Sequence, residues 1–318
     1  MVDPPSCQNH RSAPPPPRGR LGGGAGLAGV LMTARSTKLD TFFANTPHAI
    51  VCELTSVRGS SPREQGTFML VGPTSLFGTI GGGALEYMVI EHARKLIANG
   101  QAEEAMDVPL GPEIGQCCGG RVGVSLRFAD AATRAELAER VTAEDAALPH
   151  VFVFGAGHVG RALAQILALL PVQLEVIDTR RDELDELPAG IASRVVAMPE
   201  AVVRAAPQGS SFVILTHDHA LDFLIAQEAL ARTDSPYVGM VGSATKRARF
   251  ASWFRGEGGT DKALDRLVLP IGRQGLGDKR PEVIAALAAA EIMVHIGRRE
   301  AEIARAYEPN SLGALVGF

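Results

Sequence analysis

The segment Val151-Phe152-Val153-Phe154-Gly155-Ala156-Gly157-His158-Val159-Gly160 decides the fold. Its four leading apolar residues read as a short strand buried on both faces. That strand runs straight into Gly155-x-Gly157-x-x-Gly160, and Arg161–Leu170 continues as an apolar helical stretch. The next strand, Gln173–Ile177, ends at Asp178. Glycines between a strand and a helix, with an acidic residue ending the following strand, form a dinucleotide-binding fingerprint in its required context. Gly155 permits the tight turn, Gly157 lets a ligand approach the backbone, and Gly160 lets helix and strand pack closely. The helix N-terminus offers unpaired N–H groups to a phosphate. Asp178 is placed to accept from a ribose hydroxyl.

Working outward, further strands read at Arg194–Ala197, Phe212–Thr216 and Tyr237–Val241, with helices at Glu200–Ala206, Leu221–Arg232 and Lys246–Arg255. Strands alternating with helices predict a parallel, doubly wound α/β sheet over residues 150–298. Pro281–Ile296 reads as a closing helix, with Pro281 suited to its first turn, and residues 299–318 as a tail. In such a sheet, ligands bind beyond the carboxyl ends of the strands. His158, His217 and Asp218 lie at such ends, as does the turn of Gly242, Ser243 and Lys246 before a helix, which reads as a second anion site. His217 and His219 read equally well as solvated imidazoles at a helix start, and two ligands from one short loop do not suggest a metal site.

The N-terminal unit, residues 35–143, reads as α+β. Strands are expected at His48–Val57, Thr67–Val71, Leu76–Ile80 and Val122–Arg127, and helices at Ala84–Ala98, ended by Gly100, and Ala131–Val141. Residues 144–149 read as a linker. Residues 1–34 carry the proline run Pro14–Pro17 and the glycines Gly22–Gly24, a composition expected to be disordered. Three segments of this unit carry chemistry. Arg58 and Arg63 flank Gly59-Ser60-Ser61-Pro62, and arginine grips phosphate or carboxylate with two bonds. Gly81, Gly82 and Gly83 precede a helix, an anion-cradling arrangement. Cys117 and Cys118 sit between glycines in Gly115-Gln116-Cys117-Cys118-Gly119-Gly120.

Composition sets limits on function. Net charge is −4 with no basic stripe, which argues against nucleic-acid binding by phosphate neutralisation. No apolar run is long enough to span a bilayer. Four cysteines in 318 residues make no disulfide scaffold, so free thiols in a reducing cytoplasm are expected. There is no G-x-S-x-G, H-E-x-x-H or P-loop.

Taken jointly, several motifs resemble the XdhC/CoxI family of xanthine dehydrogenase accessory proteins. They are GSSPRE (Gly59–Glu64), GTIGGGALE (Gly78–Glu86), GQCCGG (Gly115–Gly120), VFGAGHVGRAL (Val153–Leu163), VIDTR (Val176–Arg180), LTHDHALD (Leu215–Asp222) and YVGMVGSATKR (Tyr237–Arg247). The later PIG at Pro270–Gly272 also fits. The resemblance implies an N-terminal domain followed by a Rossmann domain, often in a homodimer. It implies a carrier of the molybdenum cofactor (molybdopterin) that supports cofactor sulfuration by a cysteine desulfurase. The cofactor would then be inserted into an apo xanthine dehydrogenase-type molybdenum hydroxylase.

On this reading Gly155, Gly157, Gly160 and the Gly242–Lys246 turn hold the phosphate or pterin edge, with His158, Asp178, His217 and Asp218 on the rim. Arg58, Arg63 and Gly81–Gly83 close the cleft from the other domain. Cys117 and Cys118 are molybdenum-proximal ligands or sulfur-relaying thiols; the plainer alternative is that they fill a tight turn. From Gly155–Gly160 and Asp178 alone, an NAD(P)-dependent oxidoreductase is the competing reading.

Overall fold

A computed structural model describes residues 34–101, 103–111, 119–272 and 277–307. Cys117 and Cys118 lie outside the described residues, as do residues 1–33 of the stretch expected to be disordered; its last residue, Ala34, begins a helix.

The N-terminal part contains α1 (Ala34–Asn45), β1 (Ile50–Arg58), β2 (Phe68–Val71), β3 (Leu76–Gly78), α2 (Gly83–Asn99), β4 (Glu103–Pro109), β5 (Arg121–Phe128) and α3 (Ala131–Ala146). The strands form one antiparallel sheet in the order β3-β2-β1-β5-β4. Strand side chains alternate between faces, and β1 shows the consequence. Ile50, Cys52 and Leu54 pack with Leu85, Val89, Ala93 and Leu96 of α2. Val51 packs on the other face with Leu39 and Phe42 of α1 and Leu137 and Val141 of α3. Gly100 ends α2 in the left-handed conformation, donating its N–H to Leu96 O.

The second part holds β6 (His150–Phe154), α4 (His158–Leu167), β7 (Gln173–Asp178), α5 (Arg181–Asp185), β8 (Ser193–Val195), α6 (Pro199–Ala205) and β9 (Ser211–Ile214). It continues with α7 (His219–Ala231), β10 (Val238–Met240), α8 (Ala244–Gly256), α9 (Asp261–Leu264), β11 (Leu267–Val268) and α10 (Pro281–Tyr307). Six parallel strands run in the order β11-β10-β9-β6-β7-β8. The chain builds outward from β6 to β8, then returns to β9 on the other side of β6. This is the doubly wound Rossmann order, with its switch point between β6 and β9. Both faces of β6 are covered. Val151 and Val153 pack with Leu163 and Leu167 of α4 and Ala288 and Ile292 of α10. Phe152 and Phe154 pack with Ile225 and Leu230 of α7 and Phe250 of α8. Burying one such side chain fully stabilises the fold by about 1.5–3 kcal/mol.

Two boundaries differ from the sequence reading. The stretch read as a linker from residue 144 begins inside α3, which runs to Ala146. Asp130 caps that helix by accepting from Thr133 N (2.8 Å), and Val141 and Asp145 extend its buried face. The stretch read as a tail from residue 299 continues α10 as far as Tyr307. Its alanines, glutamates and arginines are strong helix formers, with an Arg299–Glu302 pair one turn apart.

Candidate functional site

Four strand-to-helix turns meet at the carboxyl edge of the parallel sheet: β6–α4, β7–α5, β9–α7 and β10–α8. The first is shaped by glycine. A Cβ on Gly160 would lie 1.9 Å from Gly155 O, so α4 can approach its strand only without one. Gly155 has φ +110, and a Cβ there would lie 2.4 Å from Leu215 O at the end of β9. Gly157 is different. Its φ of −67 suits any residue, and a Cβ there would meet nothing within 4 Å. It caps α4 without a side chain, so the helix N-terminus faces open space at the switch point. His158 beside it is exposed.

Asp178 closes this turn from below. Its side chain is only 3% exposed. One carboxylate oxygen accepts from Ala156 N (2.8 Å) and Arg180 Nη2 (3.0 Å). The other accepts from Arg180 N (3.0 Å) and Arg180 Nε (3.1 Å). Burial pushes its pKa up, but the hydrogen bonds from Arg180 and Ala156 outweigh this and hold it below the usual carboxylate range. Glu183 bridges Arg180 Nη1 (2.9 Å) and Arg161 Nη1 (3.0 Å).

The β9–α7 turn is organised by two aspartates. Asp218 is the N-cap of α7, accepting from Ala220 N (2.7 Å) and Leu221 N (3.3 Å), and these bonds lower its pKa. His217 and His219 on either side are exposed. Asp222 is fully buried and accepts from Thr216 Oγ1 (2.6 Å) and Thr216 N (3.1 Å). It also pairs with Lys246 of α8, whose Nζ donates to Val241 O (2.9 Å) as well. Lys246 therefore points inward, not out toward an anion as its place in the sequence predicts. Gly242 leaves room for the Lys246 stem, since a Cβ there would lie 2.6 Å from Lys246 Cδ. Ser243 caps α8 by accepting from Lys246 N (3.3 Å). Arg247 is also turned inward, onto Leu267 O (3.0 Å) and Leu269 O (3.2 Å).

The N-terminal motifs gather at one end of the antiparallel sheet. A Cβ on Gly120 would lie 2.1 Å from Ser60 O, and one on Gly81 2.6 Å from Pro62 Cγ. These close approaches bring Gly59–Arg63, the turn before α2 and the start of β5 together. The chain flanking the cysteine pair is anchored there, through Leu110 N to Gly120 O (2.8 Å) and Gly119 N to Leu110 O (2.9 Å). Arg58 and Arg63 are exposed beside it. The glycine turn does cradle an anion, but the anion is internal. Glu86 Oε1 accepts from Ile80 N (3.0 Å), Gly81 N (3.3 Å) and the Thr79 hydroxyl. Partial burial raises the Glu86 pKa, and the hydrogen bonds from Thr79 and the backbone of Gly82, Ile80 and Gly81 bring it below its ordinary value.

The predicted residues thus lie in two groups of loops, one at an end of each sheet. Gln173 Nε2 donates to Asp145 O (2.9 Å), and a cavity of about 930 Å³ lies between α1, the end of α3 and Ala168–Val172. Ala168–Val172 follows the C-terminus of α4, a helix length of roughly 15 Å from Gly157. Three side-chain placements escaped sequence reasoning: Glu86 in the glycine turn, Arg180 on Asp178, and Asp222 under Lys246. Of these, only Glu86 stands beside a glycine turn in the sequence; Arg180 and Asp222 carry no such signal. Among the described residues no group of three or more His, Cys, Asp or Glu side chains is arranged to hold a metal ion, and no helix is long and apolar enough to cross a membrane.

Residues 151–292 match the family described as XdhC Rossmann domain, and residues 44–108 match the XdhC and CoxI family. The chain is 28% identical over 264 residues to the uncharacterized protein YqeB of Escherichia coli (strain K12). That alignment takes in 78% of this chain and 43% of YqeB, so the chain spans less than half the length of this relative. A crystal structure described as a xanthine dehydrogenase from Bacillus halodurans superposes with a TM-score of 0.68 at 19% identity, covering 84% of this chain and 97% of that one. At this identity the likeness speaks to the fold.

Proposed function

Because this chain belongs to the XdhC/CoxI family and carries an XdhC Rossmann domain, we propose that it is a maturation factor for a molybdenum hydroxylase. Its cargo is the molybdenum cofactor, a pyranopterin dithiolene ending in a phosphate. The cofactor phosphate sits at the N-terminus of α4, against Gly157. The β9–α7 and β10–α8 turns, with Thr216, Asp218 and Ser243, line the pterin side. The N-terminal group supplies exposed cations, Arg58 and Arg63, and the soft thiols Cys117 and Cys118. The protein acts as a homodimer in a reducing cytoplasm. It holds the cofactor while a cysteine desulfurase provides sulfur, then passes it to an apo xanthine dehydrogenase-type enzyme.

The observation that carries this reading is Gly157. At a helix N-terminus on the switch point, it alone of the three fingerprint glycines has open space where a Cβ would be. Gly155 and Gly160 are required by the fold. At Gly157 the fold makes no such demand, which leaves the backbone open to a ligand, and an anion is the group a helix N-terminus favours. The strand order equally suits a dinucleotide, so nicotinamide binding is the competing outcome. The test is to purify the full chain from cells that make the cofactor and oxidise it to release fluorescent pterin. The carrier reading expects bound pterin. Tight NAD(H) binding without pterin would replace it with the oxidoreductase reading.

A further inference from the structure

The end of β7 is where this fold meets the ribose of a dinucleotide, through an acidic residue that accepts from its hydroxyls. Asp178 occupies that position, but its hydrogen-bonding capacity is already used. A carboxylate offers about four acceptor sites, two on each oxygen. Four N–H groups fill them: Ala156 N and Arg180 Nη2 on one oxygen, Arg180 N and Arg180 Nε on the other. Three of the four come from one residue, and two of those from its guanidinium. The guanidinium is itself held by Glu183, which Arg161 braces from α4.

We infer that Arg180 is a specificity-determining residue, which clamps Asp178 so that the switch-point crevice rejects ligands presenting a free ribose diol. The inference rests on the reading that this crevice is the ligand site. Asp178 then has a different task. Through Ala156 N it fixes the Gly155–Gly157 turn, and so the aim of the α4 N-terminus. A diol needs one free acceptor on each oxygen, and providing them would break both bonds from the Arg180 guanidinium to Asp178 while Glu183 still holds its Nη1 close by. The crevice therefore takes a phosphate-bearing ligand that makes no demand on Asp178, and excludes NAD-type dinucleotides.

Removing the Arg180 side chain frees one acceptor on each oxygen while leaving Ala156 N and the backbone N–H of residue 180 in place. Arg180→Ala should therefore gain NADH binding. Two hydrogen bonds to a charged acceptor correspond to a gain of roughly tenfold or more in affinity. The assay is NADH titration of the full chain by nicotinamide fluorescence, comparing wild type, Arg180→Ala and Arg180→Ala/Asp178→Asn. Wild type should bind NADH only weakly, the single variant at least roughly tenfold tighter, and the double variant should return to the wild-type level. Micromolar NADH binding by the wild type, or no gain in Arg180→Ala, overturns the inference. A gain that survives in the double variant overturns the role given to Asp178. Pterin is measured on the same preparations. If pterin is present but NADH behaves otherwise than stated, this inference falls and the carrier reading stands. Tight NADH binding without pterin removes both.

Discussion

Lys246→Met is the perturbation whose size follows most directly from the structure. Methionine keeps most of the side-chain stem and removes the ammonium. Asp222 is then left fully buried, with Thr216 Oγ1 (2.6 Å) and Thr216 N (3.1 Å) as its donors and no cation. Removing one partner of a buried ion pair costs about 3–5 kcal/mol, because the remaining charge has lost both water and counter-charge. The bond to Val241 O is lost as well, worth on the order of 1 kcal/mol. A loss near 4 kcal/mol is a large part of the roughly 5–15 kcal/mol that separates folded from unfolded domains. Adding Asp222→Asn keeps an acceptor for Thr216 and removes the stranded charge. The double variant should recover roughly 2 kcal/mol of the loss. Urea unfolding at neutral pH, followed by circular dichroism with slopes compared, measures both changes. A loss under about 1 kcal/mol for Lys246→Met, or a double variant less stable than the single one, would refute the view that this pair ties the β9–α7 turn to the β10–α8 turn.

Gly160→Ala places a methyl group 1.9 Å from Gly155 O, which is backbone and cannot swing aside; urea unfolding should show a loss of at least about 2 kcal/mol. Glu86→Gln tests the internal anion of the N-terminal turn. The Glu86 pKa is lowered in the folded state, so its contribution is present above the ordinary glutamate value of about 4.3 and disappears as pH falls through the folded value. The stability gap between wild type and variant should therefore be largest near neutral pH and close on acidification; a gap that widens in acid would contradict the hydrogen bonding described.

Much of the second sheet was legible because its signals are local. Val151–Phe154 is apolar on every residue, as a strand covered on both faces must be, and Gly155, Gly157 and Gly160 mark the turn that follows. The helix α1 (Ala34–Asn45) escaped because its sequence is mostly polar, with few apolar residues to mark a period, and several other elements have too little sequence to show one. β11 has two residues, α5 five and α9 four. β4 reads Glu-Glu-Ala-Met-Asp-Val-Pro, poor in strand formers, and exists because β5 offers it a partner at the sheet edge. The site was legible as positions but less so as interactions. Lys246 looked like an anion-binding cation because it follows a small-residue turn. Its partner Asp222 is 24 residues earlier, and the two meet only because β9 and β10 are neighbours in a parallel sheet. Gly81–Gly83 read as a cradle for a ligand anion, whereas N–H groups of this turn hold Glu86 of the same chain. Asp178 was read as a ligand acceptor because the fingerprint puts it there. That Arg180, two residues on, would turn back onto it depends on side-chain geometry.

On the carrier reading, the space beside Gly157 receives the phosphate of a bound pterin cofactor. Gly157→Leu isolates it, since the backbone there suits any residue and no atom beyond its chain neighbours lies within 4 Å of the new Cβ. The measurement is pterin carried per chain after purification of wild type and Gly157→Leu from cofactor-producing cells, alongside their urea midpoints. Wild type should carry pterin and Gly157→Leu should lose most of it, while stability stays within about 1 kcal/mol. Pterin retained in full by a folded Gly157→Leu chain would contradict that reading.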